Sequence, residues 1–396
     1  MNFDVFSLKN GIRCIYQYRP SDLVHVGLMI NAGSRDEPKE KEGLAHFIEH
    51  ALFKGTQKRK AFHVLNRLEA VGAELNAYTT KEETCIYASG LTVDFSRSLE
   101  LIKDIVFHSV FPEKELEKEK DVIIEEIQSY YDSPFEMVFD EFESKCFENH
   151  ELGGTILGTK KTISTLNKAD IINYRKQHYA SENMVISVVG GISPKRIRNT
   201  IEKYFSDVPL KKDQSIRKPP SKAKYFDLKE KKNTSQSHLI IGNRAYHNHH
   251  AKKPGLNVLC NILGGPTMNN RLSLNLREKR GLAYHTESQY TSHTDSGIVM
   301  IYLGADESNL EKAIQLVKKE LRQLREVKMG SRQLNMAKKQ FKGQIALAQE
   351  SGSNVMLALA KSLLHHNTVN TLTEVFKRID GVNENELLEI SNEIFD

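Results

Sequence analysis

"GLAHFIEHALFKGT" (43–56) and "GLNVLCNIL" (255–263) open alike, with Gly-Leu leading into apolar residues at helical spacing. Each follows a strand-like segment and a polar loop. In the first half these are "VHVGLMINAG" (24–33) and "SRDEPKEKEG" (34–43); in the second they are "SHLIIGNRA" (237–245) and a loop containing "YHNHH" (246–250). The repeat points to two homologous halves that share one fold. Laying the Gly-Leu pairs together sets Val258 opposite His46, Asn261 opposite Glu49 and Ile262 opposite His50. Only the first half carries the histidines, whereas a purely structural need of the helix would tend to appear in both.

The rest of the chain extends this pattern. "FSLKNGIRCIYQYRP" (6–20) reads as two strands joined by a turn at Asn10-Gly11. "AFHVLNRLEAVG" (61–72) reads as a helix stopped at Gly72. "ELNAYTTKEETCIYASGL" (74–91) alternates and is rich in Thr and Tyr, which predicts a hairpin. Two long amphipathic helices are expected over 94–110 and 113–131, a buried strand in "NMVISVVGGIS" (183–193), and a helix in "KRIRNTIEKYF" (195–205). From 209 to 237 the text is polar, rich in lysine and carries a Pro-Pro step, as a solvated linker would be. The expected fold is therefore α+β. Residues 1–208 form the half with the histidines, 209–237 the linker, and 238–396 a half without them. Each half is an antiparallel-rich sheet packed with helices.

Composition narrows the function classes. At 396 residues the chain is longer than one core usually supports, and a charged share of 27% is that of an ordinary globular protein. A net charge of +5 is small against 56 basic and 51 acidic residues, and no basic stripe interleaves with aromatics, so a nucleic-acid partner is not expected. Cys14, Cys85, Cys146 and Cys260 are widely spaced, as small buried hydrophobes of a reducing compartment would be. The opening "MNFDVFSLKNGIRC" lacks the basic and apolar regions of a signal peptide. No segment approaches the roughly 18 apolar residues that span a bilayer. The expectation is a cytoplasmic protein with no membrane partner.

On a helix, His46 and His50 lie one turn apart on the same face and can point both imidazoles at one ion. Glu49 lies beside them, where a carboxylate can reach a water without occupying a metal position. That is the H-x-x-E-H order of the inverted zinc peptidases, in which zinc lowers the pKa of water towards about 7 and a base takes the proton. Two accidental histidines on an amphipathic helix would look the same, so a third ligand decides. "EKELEKEKDVIIEEIQSYYDSPFE" (113–136) is the richest source of carboxylates. Its Val122, Ile123, Ile124 and Ile127 suggest a buried stripe. Glu119 and Glu126 are two turns apart on one face, while Glu125 sits about 100° round the helix. A solvated helix surface explains most of so acidic a run.

The chain resembles the M16 zinc peptidases of the processing-peptidase type. The resemblance rests on "GLAHFIEHALFKGT", "LEAVGAELNAYTTKEETCIY", "EKEKDVIIEEIQSYYDSPFE", "LGTKKTI", "NMVISVVGGIS" and "LREKRGLAY", in the family's order. It implies that His46, His50 and Glu126 hold one Zn2+ per chain, with Glu49 as the base and Glu119 orienting a ligand histidine. It also implies that Asn76, with Ala77 beside it, lies on an edge strand that takes substrate main chain. Arg277 and Tyr284 of the second half would assist the reaction, the Tyr at the oxyanion and the Arg at substrate carbonyls. One departure is Ala51, where Met is expected. The implied protein is a zinc endopeptidase acting on extended or unstructured peptides, in a chamber between halves that close as a clamshell. Because both sets of residues lie in one chain, a homodimer is expected. The alternatives are a non-catalytic assembly subunit and a peptide-binding carrier.

Overall fold

The computed structural model describes residues 3–213 and 216–396, so residues 214–215 of the expected linker lie outside the described residues. In chain order the elements begin with β1 (Phe3–Ser7), β2 (Arg13–Tyr18), β3 (Leu23–Ile30), α1 (Leu44–Leu52), α2 (Ala61–Glu69), β4 (Glu74–Thr79) and β5 (Thr84–Leu91). There follow α3 (Phe95–His108), α4 (Glu113–Tyr131), α5 (Pro134–Cys146), α6 (Lys160–Thr165), α7 (Lys168–His178), β6 (Met184–Gly190) and α8 (Pro194–Phe205). After the linker come β7 (Ser237–Ala245), α9 (Lys253–Gly264), β8 (His285–Ser292), β9 (Gly297–Ala305) and α10 (Glu307–Glu326). The chain ends with α11 (Ser331–Ala348), α12 (Gly352–His366), α13 (Leu372–Gly381) and α14 (Glu384–Ile394). The α+β class and the two sheet-and-helix halves are as the sequence predicts. Among the described residues no helix is long and apolar enough to cross a membrane.

The chain folds as two compact units made of discontinuous pieces. The first comprises Met1–Ser129, Gly154–Arg217 and Ala348–Thr371; the second comprises Tyr130–Gly153, Lys218–Leu347 and Leu372–Asp396. These units cut across the two halves of the sequence, because α12 belongs to the first unit and α5 to the second.

The first unit holds an open six-stranded sheet in the order β1-β2-β6-β3-β5-β4. Every pairing is antiparallel except that of β2 with β6. The central strand β6 is buried along its whole length. Alternate residues of a strand face opposite sides, and β6 uses both. Ile186 and Val188 join the core beneath α1 and α3, while Val185 and Val189 pack with Val355, Met356, Leu359 and Leu363 of α12. Two covered faces explain why the strand reads as a continuous apolar run. Gly27 on β3 lets α12 approach closely, since a Cβ there would lie 2.8 Å from Met356 Sδ.

Polar contacts fasten α12 at both ends. The Arg13 guanidinium donates to the carbonyls of Leu363 and Leu364 and to Asn367 Oδ1, satisfying groups left open at a helix C-terminus. Arg19 donates to Gln349 O at 2.8 Å just before the helix begins. Glu83, buried in the turn between β4 and β5, meets His365 Nε2 at 2.8 Å and Lys361 Nζ at 2.5 Å.

The second unit has a three-stranded antiparallel sheet, β7-β9-β8, and its central strand is handled in the same way. Val299, Ile301 and Leu303 of β9 face the core shared with α9, α10 and α14. Ile298 and Met300 face Phe142, Cys146 and Phe147, at the end of α5. All four cysteines are free and buried.

Three local expectations need correction. Val122 is 47% exposed, so the buried stripe of α4 runs through Leu116, Glu119, Ile123 and Ile127, which follow one another at three or four residues. The loop 34–43 is not simply a polar surface loop: Ser34, Arg35 and Glu37 are buried, and Arg35 meets Glu82 at 2.6 Å. The linker is not wholly solvated either. Its half-buried Arg217, the last residue of its segment of the first unit, donates to Asp36 at 2.7 Å, to Asn31 Oδ1 and to Glu82 O. Arginine's fork of donors suits such a multi-acceptor pocket, which a lysine could not fill.

Burial raises the pKa of Glu83, but its contacts with His365 and Lys361 outweigh that and hold it below its ordinary 4.5. A folded value below the unfolded one means that the stabilisation is complete above 4.5 and fades as pH falls through the folded value. Glu83→Gln should therefore lower stability by about 2 kcal/mol near neutral pH. Its deficit against wild type should narrow in acid. Denaturant melts across that pH range check this, and a deficit that stays constant with pH would show that the ion pair is not its source.

Candidate functional site

The helix α1 is placed by its N-terminus. Gly43 has φ of 89°, a conformation costly for residues with a Cβ, and a Cβ there would also lie 2.6 Å from Leu157 O. The open N–H groups of the first turn are met by Glu37, whose carboxylate accepts from Gly43 N at 2.9 Å and Ala45 N at 2.7 Å. Burial pushes the Glu37 carboxyl well above its usual range, and the two backbone donors oppose that. A carboxylate at this end is also favoured by the helix dipole.

From that start, His46 and His50 stack edge to face, with ring centroids 4.6 Å apart. Both turn Nε2 towards Glu126 on α4, His46 at 3.9 Å from Oε1 and His50 at 3.7 Å from Oε2. These gaps are too long for hydrogen bonds. They are close to the roughly 3.4 Å between neighbouring ligands of a tetrahedral zinc with bonds near 2.0–2.1 Å. One ligand atom from each of the three residues lies within 4.8 Å of the others, and no other such group of His, Cys, Asp and Glu occurs among the described residues.

The surroundings suit a cation. Burial, with the neighbouring His50, drives the His46 pKa down to about 4, so its ring is neutral, the form that ligates a metal. His46 Nδ1 is buried without a hydrogen-bond partner among the described residues. His50 Nδ1 lies 3.2 Å from Glu119 Oε2, and Lys54 Nζ is 2.6 Å from the other oxygen of that carboxylate. Although burial works against the charged form, the His50 and Lys54 contacts hold the Glu119 pKa below normal. An ionised Glu119 accepts a hydrogen bond from Nδ1–H, which leaves the Nε2 lone pair facing Glu126. Two imidazoles and a carboxylate, with one imidazole braced by a second carboxylate, fit a zinc centre.

Glu49 is tied to β4, where its Oε2 accepts from Thr79 Oγ1 at 2.6 Å. Burial raises its pKa, opposed by Thr79 and by His50. β4 is an edge strand that pairs only with β5, and along it Asn76 is exposed and Ala77 half-buried. Thus α1, α4 and β4 bring seven expected residues into one unit: His46, Glu49, His50, Asn76, Ala77, Glu119 and Glu126. Arg277 and Tyr284 belong to the second unit. Arg277 lies on a short π-helical turn, 3.8 Å from Glu278, and the exposed Tyr284 donates to Asp306 at 3.0 Å.

Sequence reasoning missed Glu37, Lys54 and Thr79. Glu37 was masked by its charged loop, and Lys54 by the ordinary look of "FKGT". For Thr79 the signal was visible, as a double threonine at the end of the predicted strand.

Comparisons with known proteins identify the family. The family model described as "Insulinase (Peptidase family M16)" matches residues 13–160, and the one described as "Peptidase M16 inactive domain" matches 165–341. The uncharacterized zinc protease YmxG of Bacillus subtilis is 34% identical over 392 residues, covering 98% of this chain and 95% of that protein. The chain belongs to peptidase family M16. The beta subunit of the mitochondrial-processing peptidase of Bos taurus is 29% identical over 395 residues, covering 98% of this chain and 80% of its own. A solved protease from Helicobacter pylori superposes with a TM-score of 0.91 at 22% identity, over 100% of this chain and 97% of its own, which speaks to the fold. The second model's description suits α9, where laying Gly255-Leu256 on Gly43-Leu44 sets Val258, Asn261 and Ile262 opposite His46, Glu49 and His50.

Glu37→Ala should strand two N–H groups at the head of α1 and cost about 2–3 kcal/mol. Urea melts read this loss. A near-neutral result would mean that water or a neighbour replaces the carboxylate.

Proposed function

We propose that this chain is a zinc-dependent endopeptidase of extended or unstructured peptides. The observation that carries the reading is the convergence of His46 Nε2, His50 Nε2 and Glu126 beside a separately held Glu49. His46, His50 and Glu126 would hold the zinc, and Glu119, charged and tied to Lys54, keeps His50 in the ligating tautomer. Zinc bound there would polarise the scissile carbonyl and acidify water. Glu49 is the general base: it accepts the proton of the attacking water and passes it to the leaving amine. Its raised pKa suits that exchange. The free edge of β4 offers main-chain groups to an added peptide strand, with Asn76 and Ala77 at the point of contact. Such binding reads backbone rather than side chains, which suits many sequences.

The reading extends to the second unit, where Arg277 would hold a substrate carbonyl and Tyr284 would donate to the developing oxyanion. A peptide enclosed between closing units would have to be unfolded to enter. Since one chain carries both sets of residues, a homodimer of identical chains is the expected assembly. A non-catalytic subunit or a peptide carrier would have no need of Glu49. The coarser conclusion, a zinc protease-like member of its family, is supported by relatives named as zinc proteases.

Metal analysis and cleavage of a quenched unstructured peptide test the proposal together. Wild type and Glu49→Gln should each bind about one zinc per chain, with turnover lost only in the variant. His46→Ala and Glu126→Ala should lose the zinc, and Glu119→Gln should weaken zinc affinity by about 10–100-fold. Zinc-loaded wild type that cleaves no member of a diverse peptide library would favour the carrier. Absence of zinc from wild type would remove the metal centre altogether.

A further inference from the structure

The strand end that meets Glu49 is built with unusual rigidity. Thr80 and its neighbours form a closed turn: Thr80 N donates to Glu83 O at 2.8 Å, and Thr80 Oγ1 accepts from Glu83 N at 3.1 Å. From the other side, Ser34 N donates to Thr80 O at 3.0 Å and Arg35 N to Lys81 O at 2.8 Å. Gly33 allows this approach, since a Cβ there would lie 2.6 Å from Lys81 O. Thr84, paired with Thr79 across the hairpin, is buried and donates to Ala32 O at 2.8 Å. The two adjacent threonines therefore divide their work. Thr80 serves its own turn, while Thr79 spends its hydroxyl on Glu49, 30 residues away in sequence.

A β-branched residue in a strand has few side-chain rotamers, so the direction of the Thr79 hydroxyl follows from the strand itself. Its bond occupies Oε2 of Glu49 and leaves Oε1 with no hydrogen-bond partner among the described residues. A carboxylate with one oxygen tied and the other free has one oxygen available for proton transfer and a fixed orientation in which to do it. Without the tie, Glu49 could turn about its side-chain bonds and lose that geometry.

We propose that Thr79 is a positioning residue for the reaction. It clamps the general base to the edge strand on which the peptide is laid, so base and substrate share one rigid frame. This inference rests on the peptidase reading above. It assigns Thr79 an effect on the chemical step, none on metal retention and none on peptide affinity.

The test compares Thr79→Val, which keeps the shape and removes the hydroxyl, with Thr79→Ser, which keeps the hydroxyl. Thr79→Val should lower kcat by about 10–100-fold, with KM and zinc content unchanged. Thr79→Ser should recover most of the loss. A second readout needs no turnover. In metal-free protein, Thr79→Val should lower the melting midpoint when Glu49 is present, and leave it unchanged on a Glu49→Ala background. Full kcat in Thr79→Val would overturn the inference while leaving the peptidase reading intact. So would a loss confined to KM, a loss of zinc, or equal melting shifts in both backgrounds. Zinc-loaded wild type without turnover would overturn the peptidase reading, and this inference with it.

Discussion

The placement of α1 depends on a carboxylate buried beneath its first turn. Glu37 receives two backbone N–H groups there, and both histidines and Glu49 are then distributed by the helix itself at about 100° per residue. A shift of α1 along its axis would carry His46 and His50 away from Glu126, and Glu49 away from Thr79, because those partners stand on other elements. Gly43 and the chain at Leu157 and Gly158 leave little room for such a shift, since a side chain at either glycine would strike backbone. A buried carboxylate without partners would be costly, and the open helix N-terminus supplies what it needs. The cluster's geometry thus begins at Glu37, six residues before the N-cap Gly43 and outside the group of His46, His50 and Glu126.

Both units solve the same packing problem by the same exchange. A central strand with apolar side chains on both faces needs two covering layers. In the first unit one layer comes from the first half of the chain, and the other is α12, contributed from far along the second half. In the second unit the arrangement is mirrored, with α5 contributed by the first half. Neither half of the chain can bury both faces of its sheet alone. The contacts made by α12 are therefore among the most distant in sequence, with Arg13 and Leu363 separated by 350 residues, and carry a correspondingly large loop-closure cost. This also explains why the end of α12 is fastened by ion pairs and carbonyl contacts as well as by packing.

Much of this was legible because it is local. Helical spacing located α1, the Asn10-Gly11 turn located the first hairpin, and the separation of Glu119 and Glu126 by two turns located their common face. What escaped the sequence depended on contacts across long separations. Val122 lies within an apolar run, yet α4 turns it outward, because Leu116, Ile123 and Ile127 already define the buried side. Glu37 and Arg217 read as solvated charges, and only the fold shows that one caps a helix and the other joins Asp36 in a buried pair. Thr79 looks like any strand threonine until Glu49 is seen opposite it.

On the Gly-Leu alignment, α9 packs without the polar residues that α1 carries. At the position of His46 the second helix has Val258, 1% exposed, and at the position of Glu49 it has Asn261, which simply bonds to Gln344 at 2.6 Å. The scaffold is therefore satisfied by an apolar residue where the first half buries an imidazole with an unpartnered nitrogen. An unsatisfied buried polar group is destabilising, and packing alone gives no reason to keep one. Proteins accept such local costs at functional sites. The unpartnered imidazole of the first half and the apolar residue aligned with it in the second thus mark a residue that packing alone does not require.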